Sequence, residues 1–302
     1  MVSVGNAAAY VALRYGFLIH FGMFTFSQTH NYTADPNVFA PSTTDFISNW
    51  VTVAQAANAK YAYLTAKHQD GFCLWNTASG AANVTQSSWF MTGGGFDVVS
   101  QFCTQMRAAG IQPGIYYSMA QDATFSGLQS GGLVNGRTYG QYAQLHLTEL
   151  LSNYGNIVGI WGDLLFSGVT VPFSSDAARQ AFIQAIQPNC LDLPNTHAYN
   201  VGLARGQILV YESVNHGDPS PGNNVFPSEL AESGLVGGVW FWQPPNKAHA
   251  NVVTSETHMT SIHGQNGTYT VGVGPDTTGH IPNSPAIDDQ VTNLTTLGNS
   301  GH

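Results

Sequence analysis

The feature that most restricts the fold of this chain is an alternation. Short runs rich in β-branched and aromatic residues recur along its 302 residues, and most are followed by a segment with helical spacing before the next run begins. GFLIHFGMF from Gly16 predicts a strand, and TDFISNWVTVAQAANAK from Thr44 predicts a helix whose Phe46, Trp50, Val53 and Ala57 share a face. AKYAYLTAKH, GIYYSM and IVGIWGDLLF predict the next strands, separated by helices in FDVVSQFCTQMRAAG and TYGQYAQLHLTELLSNYG. SSDAARQAFIQAIQPN predicts a helix opened by a Ser or Asp cap and closed by Pro188. CLDL, QILVYES, GGVWFWQ and TYTVGVG complete the strand candidates, with NKAHANVVTSETHMTSIHG and AIDDQVTNLTTLGN helical on either side of the last.

Eight strand candidates joined by crossovers, with no antiparallel tract and no GxGxxG after a strand, point to a (β/α)8 TIM-like barrel rather than an open doubly wound sheet. Nothing in composition marks a linker, so residues 1–302 are read as a single barrel domain.

Composition narrows the partners. Only 8 Lys and Arg stand against 17 Asp and Glu, a net charge of -9, and charged residues make up 8% of the chain where about 25% is usual. With no basic run, nucleic acid and anionic membrane surfaces are excluded as partners, and a neutral small molecule or oligosaccharide is the expected substrate. No apolar stretch is long enough to span a membrane. The opening MVSVGNAAAYVALRYG lacks a basic region ahead of an apolar core, so any signal peptide is expected to have been removed.

Four Asn-X-Ser/Thr sites, at Asn31, Asn83, Asn266 and Asn293, together with the scarcity of Lys and Arg, favour a secreted, N-glycosylated protein. Cys73, Cys103 and Cys190 fit neither a disulfide framework nor a zinc site, so buried thiols with at most one bridge are expected.

Active sites of such barrels are assembled at the C-terminal strand ends. Here those ends offer His20, then Lys67-His68-Gln69-Asp70, Tyr116-Tyr117-Ser118, Trp161-Gly162-Asp163, Tyr211-Glu212-Ser213 and Trp240-Phe241-Trp242-Gln243. Hydrogen-bonding groups beside flat aromatic faces suit a pyranose, which presents hydroxyls around its ring and apolar C–H patches on its faces. Breaking a glycosidic bond requires two carboxyl groups, and Asp163 and Glu212 are the natural pair. Each also has a structural reading: Asp163 as a helix cap, Glu212 as a loop anchor, the histidines and aromatics as core, and Asp70 before Gly71 as a turn former.

The motifs resemble those of a known family. RYGFLIHFGMFTF is similar to the first-strand motif, FGxFxHWG or HFGMNTF, of the α-L-fucosidases of glycoside hydrolase family 29. AKYAYLTAKHQDGFCLW resembles that family's AKYxxLTxKHHDGFCLW, and GIYYS its GLYYS. ELLSNYGNIVGIWGD resembles ELLxxYGxIxxxWxDG, and YTVGVGPDTTGHI resembles LLLNVPPDxxGLI. The resemblance implies a (β/α)8-like barrel and a retaining, metal-free hydrolase of α-L-fucosides that needs no cofactor.

It further implies that Asp163 is the nucleophile and that His20 and His68 bind sugar hydroxyls. Trp161 and one of the aromatics in Trp240-Phe241-Trp242 would then flank the ring; Tyr116, Trp240 and Trp242 are taken as candidates to line the sugar. Glu212, in VYES, takes the acid/base slot, with Glu229 and Glu232 in FPSELAES as second choices. The C-terminal β-sandwich usual in the family is not expected within this chain.

The departures fall at positions that would face the sugar. Gln69 stands for the second histidine of KHHDGF, and His30-Asn31 replaces a Glu-Trp pair. His20-Phe21-Gly22 replaces HWG, and Trp240-Phe241-Trp242-Gln243 replaces WFxH. Three functions stay open on the residues alone: an exo-acting retaining α-L-fucosidase, the same pocket turned to another sugar or to a non-hydrolytic elimination or rearrangement, and a non-catalytic carbohydrate-binding protein.

Overall fold

The computed structural model describes residues 4–28, 35–119, 122–125, 132–164, 172–195, 208–213, 227–235, 239–243, 252–284 and 288–300. Its centre is one parallel sheet of eight strands: β1 Tyr15–Ile19, β2 Tyr61–Lys67, β3 Gln112–Ser118, β4 Gly159–Asp163, β5 Leu191–Asn195, β6 Leu209–Ser213, β7 Ser228–Glu232 and β8 Gly267–Val273. Their order, β5-β4-β3-β2-β1-β8-β7-β6, is a cyclic sequence opened at one place, which makes the sheet a (β/α)8 TIM-like barrel. At the opening, no β5–β6 ladder occurs among the described residues.

Helices α1 Val4–Val11 and α2 Met23–Ser27 flank β1, and α3 Phe46–Ala56, α4 Val98–Ala108, α5 Tyr139–Asn153 and α6 Asp176–Ile186 form the crossovers between β1 and β5. Helix α7 Val252–Gly264 joins β7 to β8, and α8 Gln290–Gly298 follows β8. Local chemistry fixes their starts. Asp97 accepts from the Ser100 N–H ahead of α4, Thr138 and Gln141 form a capping box on α5, and Ser175 accepts from the Ala178 N–H on α6.

The period of two along each strand sorts side chains into two cores. Phe17, Ile19, Leu64, Ile115, Ile160, Leu230 and Val271 face the helices, where Trp50 of α3 is fully buried and its indole N–H donates to the Gly279 carbonyl at 2.7 Å. Leu18, Tyr61, Tyr63, Tyr116, Trp161, Leu191, Leu193, Val210 and Ala231 fill the lumen. Each large side chain so buried contributes about 1.5–3 kcal/mol.

The two lumen tyrosines of β2 fit because their register partners lack side chains. Gly16 pairs with Tyr61 and Gly114 with Tyr63, and a Cβ on either glycine would lie 2.3 Å from the opposing ring. Helix α1 adds Ala7 and Tyr10 to this inner core at its N-terminal end.

One strand is not where the sequence puts it. GGVWFWQ carries β-branched and aromatic residues, yet residues 239–243 are irregular, and the seventh strand is Ser228–Glu232. SELAE has little strand propensity, but burial with every carboxylate partnered overrides it. Glu229 accepts from Tyr10, Trp161 and Thr270, and Glu232 bonds to His258 and Tyr269.

All three cysteines are free and buried. Asn83 is buried as well: its side chain caps a short 3-10 turn, accepting from Thr85 N–H and donating to the Ala81 carbonyl, so this sequon is closed to a glycan in the fold. Asn266 is exposed at a left-handed turn. Asn31, with the neighbouring His30, lies outside the described residues.

Candidate active site

The barrel has two ends, and their chemistry differs. At the N-terminal end a groove of about 650 Å³ runs past Tyr10, Gln112, Pro113, Asn156, Pro188 and Leu191, and among the described residues its lining includes no Asp, Glu or His. At the C-terminal end the titratable residues converge.

Alternation along β4 directs Trp161 and Asp163 inward, with Ile160 on the helix side. Asp163 is 5% exposed, and its register partners are Ser118 on β3 and Asn195 on β5. The Tyr116 hydroxyl donates to Asp163 Oδ2 at 2.5 Å, and the Tyr116 ring stacks on Trp161 at 5.1 Å with an 18° tilt. Burial, then the charge of Asp163 and its hydrogen bond, push the Tyr116 hydroxyl well above the usual tyrosine range, with Glu212 adding in the same direction. Tyr116 is therefore a fixed donor. Below it, Trp161 donates its indole N–H to Glu229 Oε1 at 3.1 Å, and Glu229 Oε2 accepts from Tyr10 at 2.5 Å.

His20 follows β1 and enters an aromatic cage. Its ring lies 5.2 Å from Tyr116, 5.2 Å from Trp240, 5.1 Å from Phe241 and 6.2 Å from His68. Burial lowers the His20 imidazole to about 3, so near neutral pH it meets a ligand uncharged. His68 stacks on Tyr116 at 5.8 Å and touches Phe241 edge-on at 5.0 Å. Trp240 lies across β8 where Gly272 leaves room: a Cβ there would fall 2.7 Å from its ring. Trp242 is held by its backbone, whose carbonyl accepts from Gln28 Nε2 at 3.3 Å.

Glu212 faces the lumen in phase with Val210 and is 9% exposed, and its Oε2 accepts a short hydrogen bond from Asn195 Nδ2. Glu229 and Glu232 are both fully buried. Glu229 lies level with Val210, two residues deeper in the lumen than Glu212, where burial lifts its carboxyl to about 7. Glu232 points out of the barrel, accepting from Tyr269 and pairing with His258 of α7 at 2.6 Å.

The four polar residues after β2 separate by role. Lys67 is buried in an ion pair with Asp122 at 2.9 Å and lies 4.7 Å from the Tyr117 ring. Asp70 accepts from the Phe72 N–H at 2.8 Å, closing a turn through Gly71, whose φ of 81° suits glycine. Burial raises the Asp70 carboxyl to about 6. His68 and Gln69 alone of the four stay partly accessible.

Two residues of this cluster are not singled out by the sequence reading, which offers Phe241 only as one of three adjacent aromatics and does not name Asn195. Phe241, between the two proposed platforms Trp240 and Trp242, makes the ring contacts with both histidines. Asn195 sits between the two carboxylates, and the strand predicted as CLDL stops just short of it, although the Leu191, Leu193 phase extends inward to Asn195. Among the described residues no three His, Cys, Asp or Glu group as metal ligands, and no helix is long and apolar enough to cross a membrane.

A family model for Alpha-L-fucosidase matches residues 19–298, from the end of β1 to α8. The chain belongs to the α-L-fucosidase family. A curated family relative from Oryza sativa subsp. japonica is 30% identical over 287 residues, covering 87% of this chain and 52% of its own length. Alpha-L-fucosidase 1 of Arabidopsis thaliana is 34% identical over 149 residues, 48% of this chain and 27% of that protein. This α-L-fucosidase family member thus spans about half the length, or less, of the curated relatives it matches.

Among solved structures, Alpha-L-fucosidase isoenzyme 1 from Paenibacillus thiaminolyticus superposes with a TM-score of 0.75 at 22% identity, over 97% of this chain and 75% of that one. Unliganded alpha-L-fucosidase AlfC from Lactobacillus casei gives a TM-score of 0.71 at 18% identity, over 98% of this chain and 97% of its own. At these identities the match is one of fold.

Proposed function

We propose that the protein is an exo-acting retaining glycosidase that releases terminal α-L-fucose. The observation that supports it best is the inward pair at the C-terminal mouth: Asp163 on β4, held by the Tyr116 hydroxyl, and Glu212 on β6, held by the Asn195 amide. In this reading an Asp163 oxygen attacks the anomeric carbon while Glu212 gives its proton to the departing glycosidic oxygen, and the C–O bond to the aglycone breaks. Glu212, now a carboxylate, takes a proton from water. The water oxygen replaces Asp163 on the anomeric carbon, and fucose leaves with its configuration retained.

The neighbouring side chains support each part of that sequence. Tyr116 orients one Asp163 oxygen by donating a hydrogen bond to it. Neutral His20, with His68, exchanges hydrogen bonds with ring hydroxyls, while Trp240 and Phe241 supply apolar faces for the C–H edge and methyl of the sugar. Gln69 beside His68 is one of the positions at which this chain's hydroxyl recognition departs from the family pattern. A secreted location belongs to the same proposal, with Asn266 as its exposed glycan acceptor.

Release of an aryl α-L-fucoside, followed by NMR of the first-formed anomer, tests the reading. Asp163→Asn is expected to lower kcat by on the order of 10³ or more, leaving the fold intact. Unchanged turnover in that variant, or an inverted product, would refute the assignment.

A further inference from the structure

We infer that Asn195 both positions the acid/base and contacts substrate: its amide nitrogen holds Glu212, and its amide oxygen accepts the sugar hydroxyl next to the anomeric carbon. The inference rests on the reading of Asp163 and Glu212 as the reacting pair, and deepens it.

Placement comes first. Asn195 ends β5 and faces the lumen in phase with Leu191 and Leu193. It lies between the two carboxylates in strand order, being the register partner of Asp163 on β4 and the hydrogen-bond donor to Glu212 on β6. It is fully buried, so its side chain is held rather than free to sample solvent.

Its amide is also half used. The bond to Glu212 Oε2 is made by Nδ2, which can only donate, and this leaves Oδ1, an acceptor, turned away from it. That Oδ1 is buried and meets no donor among the described residues. A buried acceptor without a donor is unfavourable, and a pyranose brings donors in its hydroxyls. The proposal seats the 2-hydroxyl, carried by the carbon next to the anomeric one, against this amide between Asp163 and Glu212, and hydrogen bonds at that hydroxyl tighten as the oxocarbenium-like transition state forms.

No β5–β6 ladder occurs among the described residues, so the Asn195–Glu212 bond also fixes where β6 presents its carboxylate. Loss of the amide would therefore misplace the proton donor, and that error should matter most when the leaving group needs protonation.

The experiment uses wild type, Asn195→Ala and Asn195→Thr, each checked for folding by circular dichroism and Tm, so that one unfolded variant does not end the test. kcat/KM is measured with dinitrophenyl and alkyl α-L-fucosides, and with an aryl fucoside and its 2-deoxy analogue. The loss on substitution is expected to be at least tenfold larger for the alkyl than for the dinitrophenyl substrate. Removing the 2-hydroxyl is expected to cost the variants at least tenfold less than it costs wild type. Folded variants with equal losses across leaving groups and an unchanged 2-deoxy ratio would overturn the proposal, leaving Asn195 a link between strands.

If wild type itself cleaves no fucoside, the hydrolase reading fails separately. Calorimetry with L-fucose then decides: a tenfold weaker affinity in Asn195→Ala upholds the contact, and equal affinity removes it.

Discussion

The Tyr116 hydroxyl donates a 2.5 Å hydrogen bond to Asp163 Oδ2 while the same ring stacks 5.1 Å from Trp161 and 5.8 Å from His68. One side chain thus orients the proposed nucleophile and borders both the indole and the imidazole beside it. Because burial and Asp163 together hold the phenol protonated, this is a one-way donation. A charge-assisted bond of this kind contributes about 1.5–3 kcal/mol.

Tyr116→Phe keeps the ring stack and removes only that bond. On the proposed mechanism kcat on an aryl α-L-fucoside should fall by about ten- to a hundredfold with KM changing less, since tenfold corresponds to about 1.4 kcal/mol. Steady-state kinetics with a matched thermal melt would show it, and a loss confined to KM would mean that Tyr116 binds rather than activates.

Glu229 gives the stability curve a definite slope. Its carboxyl is raised to about 7 from an ordinary 4.5, so the folded state favours the protonated form. Stability from this group is full below about pH 4.5 and is lost as pH rises through 7, a change on the order of 3 kcal/mol. Glu229→Gln, which keeps one oxygen as acceptor for Trp161 and Thr270 and turns an amide N–H toward Tyr10, should flatten urea-derived stability between pH 5 and 8.

Removing Asp122 leaves Lys67 charged beneath the turn with its buried partner gone. Asp122→Ala should cost about 3–5 kcal/mol by denaturant unfolding, whereas replacing both partners by apolar residues of similar size should recover much of that.

Secretion, as proposed, brings a test at the sequons. Digestion by an N-glycanase of protein from a secretory host should release sugar from the exposed Asn266, and peptide mass analysis should find Asn83 bare, because its side chain is consumed inside the fold.

Much of the barrel is legible in the sequence because period and turn chemistry agree there. Phe46, Trp50 and Val53 mark the buried face of α3, and Gly110 with φ 78° ends the helix before β3. Strand seven is not legible, since Glu229 and Glu232 look like surface residues until Tyr10, some 220 positions earlier in the chain, and α7 supply their partners. The positions of Asp163 and His20 follow from strand ends alone. Asn195 and Phe241 do not stand out in the same way: one is a lone amide after a proline, the other one aromatic among three, and only packing selects them.

Tyr10, Glu229, Trp161, Tyr116 and Asp163 form an unbroken column through the lumen, each touching the next. Its foot is α1, at the end of the barrel opposite the cleft. A deletion that strips α1, or a fusion that pries it away, would loosen the proposed nucleophile from below, so the N-terminal helix belongs to the support of the proposed site although it packs at the far end of the barrel.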